Sequence, residues 1–253
     1  MKNDQYNLGL VSVSFRQHSV REILEATKAV GLSCIEWGSD IHAPCNDLER
    51  IKEIAAMQNE YGIACSSYGT YFRLGDTPID ELLQYIAAAK ILGTDVLRVW
   101  CGRKSGSDMS NNERMRFLAI CRQAEKIAES NGVTLCMECH RNTFTEIPSD
   151  AVWLMRQISS PHFRMYWQPF QWQSFEQNLE NAKMLSPYVR HIHVFNWKDE
   201  EKLPLSDAVS EWQSYLHELC APRSLLLEFM PNGMINELER ETAALKKIIG
   251  EKV

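Results

Sequence analysis

The sequence predicts an α/β fold, a single (β/α)8 barrel of the TIM type spanning residues 1–253 as one domain. Three observations point there. Short runs rich in Val, Ile, Leu and Cys alternate eight times with longer amphipathic stretches. Residues closing the second to eighth runs, Glu36, Tyr68, Trp100, Glu138, Gln168, His193 and Glu228, are spaced by a mean of 32 positions, so eight such units fill the chain. No linker-like break interrupts them. Alternating strands and helices imply a parallel sheet, and eight units favour closure over an open sheet.

The units follow in order. Residues 8–13 read as a strand and 20–30 as a helix stopped by Gly31. Strand 33–37 precedes helix 47–61, which ends at Gly62; strand 63–68 precedes helix 79–92, which ends at Gly93. Strand 96–100 precedes helix 112–130, closed by Asn131 and Gly132. In the second half, strands 133–138, 162–167, 189–195 and 224–229 precede helices near 150–158, 175–185, 209–219 and 237–249. No glycine fingerprint for a dinucleotide or a P-loop follows any strand.

Composition narrows the function. A hydrophobic fraction of 45% with 24% charged residues excludes a disordered chain. The net charge of −6 and scattered Lys and Arg argue against nucleic acid as a partner and favour a small neutral or metal-bound substrate. Cys34, Cys45, Cys65, Cys101, Cys121, Cys136, Cys139 and Cys220 mostly lie in apolar runs, as buried thiols of a cytoplasmic protein do. Residues 1–6 contain no apolar signal region, and no window suggests a membrane span. The expected location is the cytoplasm, with a homo-oligomer left open.

In a TIM barrel the site is built at the carboxyl ends of the strands. Carboxylates closing apolar strands, Glu138 and Glu228, are costly to bury without a partner, and a divalent cation is one. Two carboxylates, an imidazole at His193 and an amide at Gln168 suit Mn²⁺, Mg²⁺ or Zn²⁺. His191 and His193 share one strand face, so one can bind metal while the other faces a ligand, or both can serve core hydrogen bonds. Trp37, Trp100, Trp167 and Trp197, near strand ends, form either packing or a wall around a sugar. Residues 105–112 form either a lid or a solvated connection. Arg103 and Lys104 are either phosphate receivers or solvated. Cys136 and Cys139 match C-x-x-C, but strand parity separates their thiols, so no redox pair or zinc site is expected.

Taken together these residues resemble the sugar phosphate isomerase/epimerase family of xylose-isomerase-like TIM barrels. The segments that carry the resemblance are Ile35-Glu36-Trp37-Gly38-Ser39-Asp40-Ile41-His42, Ser67-Tyr68-Gly69-Thr70-Tyr71, Leu97-Arg98-Val99-Trp100, Glu138-Cys139-His140, His191-Ile192-His193-Val194 and Leu227-Glu228-Phe229. The resemblance implies one divalent metal, manganese first, with magnesium, cobalt or zinc as alternatives. It places the ligands on Glu138, Gln168, His193 and Glu228, with both glutamates doubling as catalytic acid and base. The sixth-strand ligand is usually Asp with His three positions on; here Gln168 and Gln171 stand in those places. His42, Trp37, Tyr68, Arg98, Trp100, His140, Gln171, His191 and Trp197 are expected to bind substrate.

The implied activity is isomerisation or epimerisation of a small sugar or sugar-like compound, by proton transfer through a metal-stabilised enediolate. Two alternatives share the barrel: a metal-dependent dehydratase of a cyclic polyol or keto-acid, and a barrel that binds a metabolite without chemistry. A multi-metal DNA-repair endonuclease would need more metal-ligating side chains and a basic groove than this chain offers.

Overall fold

The structure, a computed structural model, describes residues 6–220 and 222–251. Residues 1–5, part of the start read above as lacking a signal region, lie outside the described residues. Eight parallel strands close a barrel: β1 (Asn7–Val11), β2 (Cys34–Gly38), β3 (Ala64–Arg73), β4 (Val96–Trp100), β5 (Thr134–Glu138), β6 (Phe163–Trp167), β7 (Val189–Val194) and β10 (Ser224–Leu227), the last pairing with β1. Around them lie α1 (Val20–Ala29), α2 (Leu48–Tyr61), α3 (Leu82–Leu92), α4 (Asn111–Asn131), α5 (Pro148–Ile158), α6 (Phe175–Leu185), α7 (Val209–Glu218) and α8 (Leu238–Ile248).

Local chemistry sets the boundaries. Ser19, Ser110 and Ser174 cap α1, α4 and α6 in reciprocal capping boxes with Glu22, Glu113 and Gln177. Gly62, Gly93 and Gly132 end α2, α3 and α4 in the left-handed conformation, where a side chain would be strained. The predicted helix at 79–92 begins instead as a 3-10 turn, Ile79–Glu81, before α3.

Strand parity divides the core. Val11, Val13, Cys34, Val96, Cys136, Tyr166 and Leu226 form the cluster inside the barrel. Their neighbours Leu10, Ile35, Leu97, Leu135, Met165 and Leu227 face the helices in the larger core. One irregularity matters for the site. Ile35 pairs with Cys65 but Glu36 with Ser67, so β3 carries an extra residue, Ser66, which brings Ser67 level with Glu36.

An antiparallel hairpin, β8 (Asn196–Lys198) and β9 (Glu201–Leu203), was not expected from the sequence. It follows β7 and brings Trp197 to the barrel mouth. The 105–112 segment does not line the mouth cleft; Ser105 and Gly106 are buried. Among the described residues no helix is long and apolar enough to cross a membrane.

Candidate functional site

A cleft of about 480 Å³ opens at the carboxyl ends of the strands. Arg98, Trp100, Glu138, His140, Gln168, Gln171, Trp197 and Glu228 line it, all of them expected site residues. Its volume lies in the ordinary range for small-molecule pockets. Trp100 stacks on His140 with ring centroids 4.6 Å apart, and the Arg73 guanidinium lies 3.5 Å from the Trp100 ring centroid.

Beneath the cleft is a buried charge cluster. Arg98 reaches across the barrel, donating from Nη1 to Glu138 Oε2 at 2.8 Å and from Nε to Glu36 Oε1 at 3.3 Å. Ser67 Oγ donates to Glu36 Oε2 at 2.9 Å, and Tyr166 Oη donates to Ser67 Oγ at 2.7 Å. His193, fully buried, turns Nδ1 toward Gln168 Oε1 at 2.9 Å and Glu228 Oε2 at 3.4 Å. Its Nε2 faces Glu36 Oε1 at 3.5 Å.

These contacts set the ionisation of the cluster. Burial disfavours charge on Glu36, yet His193 and Arg98 outweigh it and hold the carboxyl below its usual range. Burial also opposes ionisation of Glu138, and Arg98 again wins. Burial lowers the Arg98 pKa, but Glu138 and Glu36 more than restore it. His193 rises to about 9 because Glu228 and Glu36 overcome its burial. Burial pushes Glu228 up to about 7, against the pull of His193.

The predicted metal donors match a divalent cation in type and charge but not in arrangement. Three buried carboxylates, Glu36, Glu138 and Glu228, surround one guanidinium, leaving two negative charges uncompensated when His193 is neutral. A divalent cation would supply those two charges. The donors do not form a closed cage, however. Among the described residues no group of three or more His, Cys, Asp and Glu side chains is disposed to hold an ion. Glu138 leans on Arg98, and the β6 donor is an amide.

Four expected substrate contacts are corrected. Trp37 faces the helices and donates its indole N–H to Gln58 at 2.9 Å, because it has the opposite parity to inward-facing Glu36. Tyr68 is buried among outer-core residues and donates its hydroxyl to the Ala43 carbonyl at 2.5 Å. His42 is buried outside the cleft lining, between Ser12 Oγ and the His18 carbonyl. His191 is fully buried one inward step below His193; burial lowers its pKa to about 3, and neither ring nitrogen has a partner among the described residues. Trp167 likewise is core, packed edge-on against Trp212 and Tyr215. Arg103 and Lys104 pair with Asp76 and Glu113 at the surface, not with the cleft.

The site also contains Ser67 and Tyr166, absent from the sequence-based expectation, and Glu36, which the strand-end series included without assigning it a role. A parity signal was available for Glu36, which lies two positions from inward-facing Cys34.

A profile of the xylose isomerase-like TIM barrel family matches residues 24–232. The chain belongs to that family. Among relatives of this xylose isomerase-like barrel is a 3-dehydroshikimate dehydratase of Bacillus anthracis, 22% identical over 119 residues. That match spans 47% of this chain and 42% of the relative, less than half of either. Among solved structures, the fold is similar to the IOLI protein with a bound zinc atom, with TM-score 0.76 and 13% identity over 96% of this chain and 98% of that one. It is also similar to D-psicose 3-epimerase of Clostridium cellulolyticum H10 with D-tagatose, with TM-score 0.68 and 14% identity over 96% and 98%. At such identities these structures show a common fold.

Proposed function

We propose that this xylose isomerase-like barrel is a divalent-metal-dependent isomerase or epimerase of a small sugar or sugar-like compound. The observation that carries the reading is the pair Glu138 and Glu228 at one cleft, beside inward-facing His193 and Gln168, which would add nitrogen and amide-oxygen donors. The zinc in the IOLI structure and the sugar in the epimerase structure support both halves of it.

Glu138, Gln168, His193 and Glu228 would hold the cation. When bound, a divalent ion polarises a carbonyl and lowers the cost of negative charge on oxygen. One of Glu138 and Glu228 removes the proton next to the substrate carbonyl, forming an enediolate. The other, starting as the neutral acid, delivers its own proton to the neighbouring carbon or to the opposite face and is left ionised. Arg98 holds Glu138 in place through its 2.8 Å contact, so the carboxylate need not be reoriented during transfer. Trp100, stacked on His140, offers a flat face to substrate C–H groups, and Gln171 and Trp197 close the far wall.

A dehydratase is the second reading, favoured by the dehydratase relative. It shares the first proton abstraction and then expels a hydroxyl. Incubating the Mn²⁺-supplemented protein with ketoses, aldoses and inososes, with NMR product analysis, separates the two. A rearranged or inverted sugar supports isomerase or epimerase chemistry. Loss of water from a cyclic substrate supports the dehydratase. Stoichiometric binding without product across the panel would overturn both in favour of a non-catalytic barrel.

A further inference from the structure

The cleft does not end at the wall formed by Gln171 and Trp197. A second cavity of about 340 Å³ adjoins it, between the β6–α6 connection, the β8–β9 hairpin and the start of α7. Five residues line both spaces: Phe170, Gln171, Trp172, Trp197 and Asp199. Voids in a packed protein interior rarely exceed a water molecule, so a space this large is not a packing defect. Each of the two volumes alone lies in the range that holds a small molecule.

Hydrogen bonds fix the shared wall. Asn178, buried on α6, accepts the Phe170 N–H at 2.8 Å and donates to the Phe170 carbonyl at 3.0 Å. The Asp199 N–H, at the hairpin turn, donates to the Gln171 carbonyl at 3.2 Å and ties the hairpin to the same connection. The side cavity then offers two kinds of contact. Trp172, Trp197, Phe175 and Tyr215 supply flat aromatic surface, and Gln173 and Glu211 supply polar groups beside it. The Gln173 oxygen accepts from Asn181, which leaves its N–H groups for a ligand. Flat rings cover C–H faces while amides and carboxylates take hydroxyls, and a sugar ring presents both. The Trp197 indole N–H is buried without a hydrogen-bond partner among the described residues, so the shared wall holds a donor free for a ligand oxygen.

We propose that the substrate is a sugar carrying a second sugar unit, with the reacting unit at Glu138 and Glu228 and the second unit in the side cavity. This deepens the sugar reading of the cleft and rests on it. An enediolate needs the carbonyl and the neighbouring hydroxyl unsubstituted, so the second unit is joined through an oxygen farther along the carbon chain. A disaccharide with a free reducing end meets that requirement. Trp197 and Gln171, common to both spaces, then lie beside the glycosidic link. Lys198, the cation in the side cavity's lining, already pairs with Glu211 at 3.5 Å, so the cavity favours a neutral unit over a phosphate.

Calorimetric titration of the Mn²⁺-supplemented protein with two matched pairs tests this: D-glucose against cellobiose, and D-fructose against lactulose. In at least one pair the disaccharide is expected to bind about 10-fold more tightly than its parent, through one stacked ring and its hydrogen bonds. Phe175→Ala and Gln173→Ala remove a stacking face and an amide from the side cavity and touch nothing in the cleft lining. They are expected to cancel that gain, leave the affinity for the parent unchanged and keep the far-UV circular dichroism of the wild type. Equal affinity for parent and disaccharide in both pairs, or a gain that survives in both variants, would overturn the proposal and leave the sugar reading of the cleft standing. Absence of binding by all four sugars would overturn the proposal and remove free sugars from the reading of the cleft as well.

Discussion

Arg98→Met removes the guanidinium held between Glu36 and Glu138 and puts a side chain of similar length in its place. Both carboxylates are nearly or fully inaccessible, and each loses a guanidinium contact, at 3.3 and 2.8 Å. Breaking a buried ion pair by removing one partner costs about 3–5 kcal/mol, because the remaining charge is left without compensation. For a chain of this size each kcal/mol moves Tm by about 2–4 °C, so the fall is roughly 6–20 °C. The pH dependence provides a sharper test. In the wild type the folded-state pKa values of Glu36 and Glu138 lie below their unfolded value. Their contribution is present above about pH 4.5 and lost as pH falls. Without Arg98, burial acts on Glu138 with less opposition and raises its pKa, so R98M should instead lose stability as pH rises from about 4.5 toward neutrality. Urea unfolding of chelator-treated protein at several pH values measures both quantities. A cost under about 1 kcal/mol, or a slope equal to that of the wild type, would show that Arg98 does not hold these carboxylates ionised.

Three further outcomes follow from the same contacts. Glu241, buried on α8, accepts the Leu205 N–H with both oxygens, and burial raises its pKa to about 7. Its folded-state pKa exceeds the unfolded one, so its stabilising contribution is full below about pH 4.5 and lost as pH rises through 7; E241Q should therefore gain stability relative to wild type between pH 5 and 8, and a constant difference would contradict this. Q168D adds a carboxylate beside His193 and should raise divalent-metal affinity about 10-fold by calorimetry, since affinity follows the charge of the ligand set; unchanged affinity would remove Gln168 from that set. W100A should raise KM about 10-fold with a smaller change in kcat, because the ring offers binding surface and carries no proton; a loss confined to kcat would contradict that role.

Much of the barrel was legible because each unit repeats the same local chemistry. Apolar runs end at polar residues, and caps such as Ser110 and stops such as Gly132 mark the helices. The polar strand ends also brought Glu138, Gln168 and Glu228 to one cleft. Strand parity carries more of the site. It puts His191 and His193 on one face, and on β2 it sets Glu36 inward with Cys34 and Trp37 outward. The extra residue in β3 was not legible, since it depends on pairing with β2 rather than on any local pattern. Nor were the pairings of Arg98. Glu36 lies 62 positions away and Glu138 lies 40, and their meeting depends on barrel closure and on the space left by Gly69. The hairpin that brings Trp197 to the mouth is short, charged and only three residues per strand, too little for a two-residue period to stand out.

The proposed activity requires carboxylates at the barrel mouth to move protons from and to substrate carbon. Deuterium incorporation from D₂O into a responsive sugar or inosose, followed by NMR with Mn²⁺ present, measures that step whether or not product accumulates. The wild type should exchange the proton next to the carbonyl, and E138Q should exchange it at least about 100-fold more slowly while keeping its fold. Exchange in E138Q at the wild-type rate would contradict the account.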